Sequence, residues 1–102
     1  MRKFKLVTKH IPVIAFAHFA PIGDGYDIIN IYVAPNHRRK GIAKKLIDKF
    51  IAIKNPKSIM LEARKSNIPA INLYTSIGFS IISERKNYYA DGEDAYVMKR
   101  TH

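Results

Sequence analysis

The spacing of apolar residues in this chain of 102 residues changes from that of strands to that of a helix just after residue 33. Before this point apolar and polar side chains alternate in three segments, which predicts three successive antiparallel strands. The segments are Lys3–Thr8, Val13–Phe19 and Tyr26–Val33. Turn-forming residues separate them at 9–12 and 21–25. From Gly41 to Asn55 apolar residues recur every three or four positions, which predicts an amphipathic helix of about three turns.

The second half of the chain predicts three more strands and a second helix. The predicted strands are Ser58–Ala63, Phe79–Ser83 and Ala95–Lys99, with a polar loop at 87–94. Ser66–Pro69 combines a capping side chain with proline in the first turn, and Gly78 suits the helix end. The inner stripe of this helix is predicted to be Ala70, Leu73, Tyr74 and Ile77. The order βββ-α-β-α-ββ indicates one α/β (α+β) domain over residues 1–102 with a mixed sheet.

Positive charge is concentrated in one segment. The formal net charge is +10, and residues 36–65 alone hold ten basic and two acidic side chains. Four cations crowd the predicted start of the first helix: Arg38, Arg39, Lys40 and Lys44. The helix dipole is already positive there, and Gly41 allows a ligand to approach the backbone amides. A solvated basic face is the alternative, but the strand–loop–glycine–helix context favours a phosphate site.

Several classes of site are excluded by residues that the sequence lacks. Without cysteine there is no disulfide framework, thiolate zinc site or cysteine nucleophile, which fits a reducing cytoplasm. The four histidines have no metal-ligand spacing, so no metal is expected. The apolar stretch 11–20 is too short to span a bilayer. Walker and GxGxxG motifs are also absent.

Three blocks of sequence resemble one family. Arg38-Arg39-Lys40-Gly41-Ile42-Ala43, after the strand that ends at Val33, resembles the pyrophosphate-binding motif Arg/Gln-x-x-Gly-x-Gly/Ala of GNAT acetyl-CoA-dependent N-acetyltransferases. Residues 61–79 are similar to a block of ribosomal-protein-alanine acetyltransferases and N-terminal acetyltransferase catalytic subunits. Residues 88–96 resemble archaeal and eukaryotic N-terminal acetyltransferases. The resemblance implies a GNAT fold that moves acetyl from acetyl-CoA to the α-amino group of a protein or peptide, such as a ribosomal protein or nascent chain, by direct attack.

The resemblance also implies a role for each matched residue. Backbone groups of the end of a bulged strand would hold the thioester carbonyl and pantetheine, and helix-start amides would hold the pyrophosphate. The residues implied to bind acetyl-CoA are Ile31, Tyr32, Val33, Arg38, Arg39, Lys40, Gly41, Ile42, Ala43, Lys44 and Asn67. Glu62 matches the general base and Tyr74 the acid that protonates the departing thiolate. Tyr88 and Tyr89 match residues that line the acceptor peptide.

The residues taken alone leave structural alternatives open. Glu62 could pair with Arg64 or a neighbouring lysine, Tyr74 could be a core aromatic, and Asn67 could cap its helix. Two functional alternatives also stand: a basic nucleic-acid-binding module built on residues 38–65, and an acyl-CoA-binding protein without catalysis. The first predicts a steep loss of affinity with salt.

One part of the family pattern is not matched. The usual chain has a first strand and a helix pair before the segment that corresponds to Lys3–Thr8, and that pair forms a wall of the acceptor site. We therefore expect the half of the site that binds acetyl-CoA to be complete, and the half that binds the acceptor to be open. A partner subunit or second copy would cover the gap, a minimal version would have a wider groove, or activity would be lost. Asp27 lies near the position of a histidine used by some archaeal members.

Overall fold

The predicted alternation of strands and helices is present in the fold. The computed structural model describes residues 2–6 and 14–101, and their elements follow the predicted order βββ-α-β-α-ββ. The elements are β1 Arg2–Leu6, β2 Ala15–Ile22, β3 Gly25–Val33, α1 Ile42–Lys54, β4 Ser58–Arg64, α2 Ile68–Ser76, β5 Ser80–Arg85 and β6 Ala95–Thr101. A 3-10 turn, Pro35–His37, leads from β3 towards α1. Predictions that fall on residues 7–13 lie outside the described residues.

The first three strands form the predicted antiparallel meander, but the turn between β2 and β3 is shorter than expected. Pro21 and Ile22 extend β2 and pair with β3, which leaves Gly23 and Asp24 as a two-residue turn. Pairing between β1 and β2 ends at Arg2 and Phe19, so Pro21 lies where β2 has no described neighbour on that side. A proline is tolerated there because the ladder needs no N–H group from it.

The parallel contact between β3 and β4 is short. The described pairs are Tyr26 with Ile59 and Asp27 with Met60, whereas β4 pairs with β6 along its whole length. Just beyond this contact, β3 carries an extra residue at Ile29, because Ile28 pairs with Phe19 and Asn30 pairs with His18. A bulge of this kind bends its strand. The carboxyl ends of β3 and β4 are therefore not held together by the ladder.

Both helices contribute to one hydrophobic core, which the buried residues of the strands complete. The Phe50 ring of α1 stacks on Phe19 with 3.7 Å between ring centroids, and it meets the Tyr26 ring edge-on at 4.9 Å. Tyr74 and Phe79 extend the same core beside α2. In β4 the face formed by Ile59, Leu61 and Ala63 is buried. This face lies under the helices, so Met60 and Glu62 point to the other face of the sheet.

The strand β5 is the sheet edge beside β6, and all six of its residues are exposed. Its register against β6 shifts between Ile81 and Ser83, which leaves Ile82 as an irregularity in the strand. Ile81 and Ile82 are about half exposed, at 47% and 51%. The edge is therefore apolar but interrupted.

The start of the β3–β4 contact requires glycine at position 25. A Cβ atom on Gly25 would lie 2.7 Å from the carbonyl oxygen of Ser58. We expect Gly25→Ala to lower the free energy of unfolding by about 1–3 kcal/mol, because the two strands must shift apart. Urea denaturation measures this change. The control is Gly23→Asn in the same turn, where φ is +57° and no atom lies within 4 Å; asparagine tolerates that conformation. If both variants lost the same free energy of unfolding, glycine would be required by the turn and not by the contact with β4.

Candidate functional site

A cavity of about 520 Å³ opens at the carboxyl ends of β3 and β4. Its walls come from the end of β3, the loop before α1, and the N-terminal parts of both helices. The lining residues are Ile31, Tyr32, Val33, His37, Arg38, Arg39, Gly41, Ile42, Ala43, Lys44, Asn67, Pro69, Ala70, Leu73 and Tyr74. Sites outside the carboxyl ends of parallel strands are a common place for ligands, since the connecting helices begin there.

The start of α1 presents unpaired backbone donors to this cavity. Gly41 is the N-cap residue with φ +72°, and no side chain caps the helix. The first bond within the helix runs from the Lys45 N–H to the Gly41 carbonyl oxygen at 3.0 Å. The N–H groups of residues 42–44 precede that bond and are free for a ligand. Together with the helix dipole they favour an anion.

The four basic residues around the start of α1 occupy different positions. Arg38 turns back, and its Nε donates to the Val33 carbonyl oxygen at 2.9 Å, so it braces the loop against β3. Arg39 lines the cavity with a positive φ of 63°. Lys44 also lines the cavity, while its Nζ lies 2.6 Å from the Asp48 carboxylate. Lys40 is not among the lining residues.

Four lining residues are not among the predicted site residues: His37, Pro69, Ala70 and Leu73. His37 lies at the end of the 3-10 turn and faces the cavity beside Arg38. The histidines lack metal-ligand spacing, so the sequence predicts no site role for His37. Its place directly before the cluster of cations was the signal that could have identified it as a cavity residue.

The start of α2 forms the opposite wall. Asn67 caps the helix, since its Oδ1 accepts from the Ala70 N–H at 3.3 Å, and the same residue lines the cavity. The capping alternative for Asn67 is therefore confirmed. Two residues of the predicted inner stripe, Ala70 and Leu73, face the cavity and are only partly buried. The apolar stripe of α2 thus serves both the core and the cavity.

Tyr74 belongs to the core and to the cavity at once. It is 8% exposed, and its ring packs against Phe79. Burial raises the pKa of the Tyr74 phenol, and the nearby phenol of Tyr89 adds a smaller effect in the same direction. The phenol therefore keeps its proton at neutral pH.

Glu62 lies outside the cavity lining, on the opposite face of β4. Its Oε2 is 3.6 Å from the Nε of Arg85, and its side chain is 28% exposed. The expected alternative partner, Arg64, is instead bound to Asp91 and Glu93 at 2.8 and 2.9 Å. The carboxylates of the loop after β5 reach Arg64 at the end of its strand, so Glu62 pairs instead with Arg85 of β5, on the far side of β6.

The two predicted acceptor tyrosines lie in the loop between β5 and β6. The Tyr89 ring lies under the Arg64 guanidinium at 4.0 Å and meets Tyr88 edge-on at 5.1 Å. Burial raises the pKa of Tyr89; the Arg64 charge opposes this, and Glu62 is among the smaller influences that add to it. Of the predicted catalytic and acceptor residues, Tyr74 lines the cavity, whereas Glu62, Tyr88 and Tyr89 are not among its lining residues.

The described part of the chain shows neither a metal cluster nor a membrane-spanning helix. Within residues 2–6 and 14–101, no three His, Cys, Asp or Glu side chains come together as a possible metal site. Over the same residues, neither helix has the length and apolar character needed to cross a membrane.

Comparison with known proteins gives consistent matches. The model of the acetyltransferase (GNAT) family matches residues 7–79. An N-alpha-acetyltransferase of Saccharolobus solfataricus is 46% identical over 77 residues, which make up 72% of this chain and 46% of that protein. This chain therefore spans less than half the length of that relative.

Two solved structures have a similar fold. The crystal structure of the ribosomal-protein-S18-alanine N-acetyltransferase from Escherichia coli gives a TM-score of 0.87 at 35% identity, over 98% of this chain and 68% of that one. The crystal structure of the NatC complex bound to Gag peptide and CoA gives 0.79 at 28% identity, over 93% and 64%.

The raised pKa of Tyr74 has a measurable consequence. Ultraviolet titration of the unmutated chain and of Tyr74→Phe should differ by one phenol. We expect the pKa of that phenol to lie above the ordinary tyrosine value of about 10. The tyrosinate is disfavoured in the folded protein, so this group contributes full stability below pH 10 and the contribution is lost at higher pH. A missing phenol that ionises at or below pH 10 would contradict the assigned burial.

Proposed function

The chain belongs to the acetyltransferase (GNAT) family, and on that basis we propose that it transfers acetyl from acetyl-CoA to the α-amino group of a protein or peptide. The observation that carries the proposal is one cavity with unpaired helix amides at one end and a protonated phenol at the other. The relatives named above for N-alpha and alanine N-acetylation support this acceptor class. Ribosomal proteins and nascent chains in the cytoplasm are the acceptors that we propose.

The residues around the cavity suit the cosubstrate. The N–H groups of residues 42–44 would hold the pyrophosphate, with Arg39 and Lys44 supplying opposite charge. The part of β3 at Ile31–Val33 lies beyond the last described pair with β4 and would offer backbone groups to the pantetheine arm. The Asn67 side chain lies on the facing wall and would contact the same arm. Bound acetyl-CoA would supply an acetyl thioester at the inner end.

The reacting end needs a proton acceptor and a proton donor. An α-amino group has a pKa of about 7.7–8.0, so modest help makes it a nucleophile near neutral pH. Glu62 would take the amine proton directly or through water. Tyr74 keeps its proton at neutral pH and would donate it to the departing sulfur. The new bond joins the amine nitrogen to the acetyl carbon, and the bond from that carbon to sulfur breaks.

The acceptor would approach along the loop between β5 and β6. Tyr88 is 47% exposed and Tyr89 is held beneath Arg64, so the pair offers an aromatic surface for the first residues of a peptide. The NatC structure is that of a complex. That observation supports a partner subunit or second copy beside this loop as part of the same proposal.

The activity is tested by mass spectrometry of peptides that begin with Ser, Ala, Met or Lys after incubation with the protein and acetyl-CoA. We expect one acetyl group on the α-amine of at least one peptide, and calorimetric binding of CoA. Binding of CoA without acetylation would leave an acyl-CoA-binding protein. No binding of CoA would overturn the proposal and would make salt-dependent nucleic-acid binding the next test.

The role of Glu62 predicts a pH-dependent defect. We expect Glu62→Gln to lower kcat/KM by about 10²-fold at pH 7, as for loss of a general base. The loss should shrink above pH 9, because the amine is then largely deprotonated without help. Glu84→Gln removes an exposed carboxylate of β5, on the far side of β6, and serves as the control. An equal loss for Glu62→Gln at both pH values would remove Glu62 as the base.

A further inference from the structure

The carboxylate of Glu93 joins the loop between β5 and β6 to the start of α2. One oxygen, Oε2, accepts from the Ser66 backbone N–H at 2.9 Å, and the other, Oε1, accepts from Nη1 of Arg64 at 2.9 Å. These hydrogen bonds, from Ser66 and then Arg64, lower the pKa of Glu93. The side chain is therefore charged at neutral pH while it bridges two elements.

The loop that Glu93 holds has a defined shape of its own. The Glu93 carbonyl oxygen accepts from the Tyr89 N–H at 3.1 Å, and the Asp91 carboxylate accepts from the Glu93 N–H at 3.0 Å. Asp91 also binds Arg64 at 2.8 Å. The turn is thus wrapped around the Arg64 guanidinium, and Tyr89 is part of it. Loss of the Glu93 side chain would leave Asp91 bound to Arg64, so the turn should still form, but it would no longer be tied to the Ser66 N–H group.

The other end of the bridge lies next to the cavity. Ser66 directly precedes Asn67, which caps α2 and lines the cavity, and Tyr74 lies on the same helix. Tyr89 lies in the loop itself, with its ring 4.0 Å from the Arg64 guanidinium. The carboxylate of Glu93 therefore connects the wall that carries Asn67 and Tyr74 with the loop that carries Tyr89.

We propose that Glu93 is a positioning residue, which fixes the loop between β5 and β6 relative to the start of α2. Binding of the acceptor peptide should therefore depend on Glu93, whereas binding of CoA should not. This inference rests on the proposed function for its kinetic consequence, because it takes the loop to be the acceptor site. An exposed ion pair alone would contribute little. Glu93 differs because its side chain is 24% exposed and one of its two bonds is charge-assisted to a backbone amide.

The kinetic test compares Glu93→Ala, Glu93→Gln and the control Glu84→Gln. Glu84 is a carboxylate in the same region whose ion pairs are with Lys65 and Lys86 rather than with the backbone at the start of α2. We expect Glu93→Ala to raise the acceptor KM about tenfold and to leave the CoA dissociation constant within twofold. Glu93→Gln should be partly rescued, because the amide oxygen still accepts from Ser66. The control should match the unmutated chain.

A second measurement separates this inference from the proposed function. Hydrogen–deuterium exchange should speed up in residues 86–94 of Glu93→Ala and should be unchanged in α1 and in the control. If the unmutated chain shows no transferase activity but this exchange pattern appears, the proposed function fails while the bridge stands. Unchanged loop exchange, or an acceptor KM equal to that of the control, would overturn the positioning role. A CoA dissociation constant that rises together with KM would also overturn it.

Discussion

The brevity of the parallel contact between β3 and β4 is the constraint on which the site depends. Two described residue pairs join the strands, and Gly25 is packed against Ser58 at the start of that contact. Beyond it the bulge at Ile29 bends β3, while β4 stays paired with β6. Helices α1 and α2 begin on either side of the resulting gap. The cavity follows from a sheet that is joined at one end and open at the other.

The two ends of the cavity differ in their physical chemistry. At the start of α1, backbone N–H groups and cations create a region suited to an anion. At the other end, burial keeps the Tyr74 phenol protonated beside Tyr89. We propose that this contrast orients a ligand with phosphate at one end and a reacting group at the other. Glu62 lies on the opposite face of β4 from the buried residues and outside the cavity lining, so its role as the base is the part of the proposal that most needs its kinetic test.

Much of the fold could be predicted from the sequence, because its signals are local. The change in the spacing of apolar residues predicted the order of strands and helices. The residue types at Asn67 and Asn55 predicted where α2 is capped and where α1 ends. The pairing of Glu62 with Arg85 was not predictable, since it depends on which strand lies next to which. Pro21 was expected in a turn and lies in β2, because the end of β1 decides whether a proline is tolerated. The roles assigned to the site residues remain predictions from the family resemblance.

The apolar edge at β5 has a consequence for the protein in solution. Ile81 and Ile82 are half exposed on an edge strand, and such edges can pair with the same edge of another copy. The irregular register at Ile82 makes that pairing less regular. A formal net charge of +10 also makes copies of the chain repel one another. Since salt screens this repulsion over a Debye length of about 8 Å at physiological ionic strength, the excess of lysine and arginine matters for solubility as well as for ligand binding.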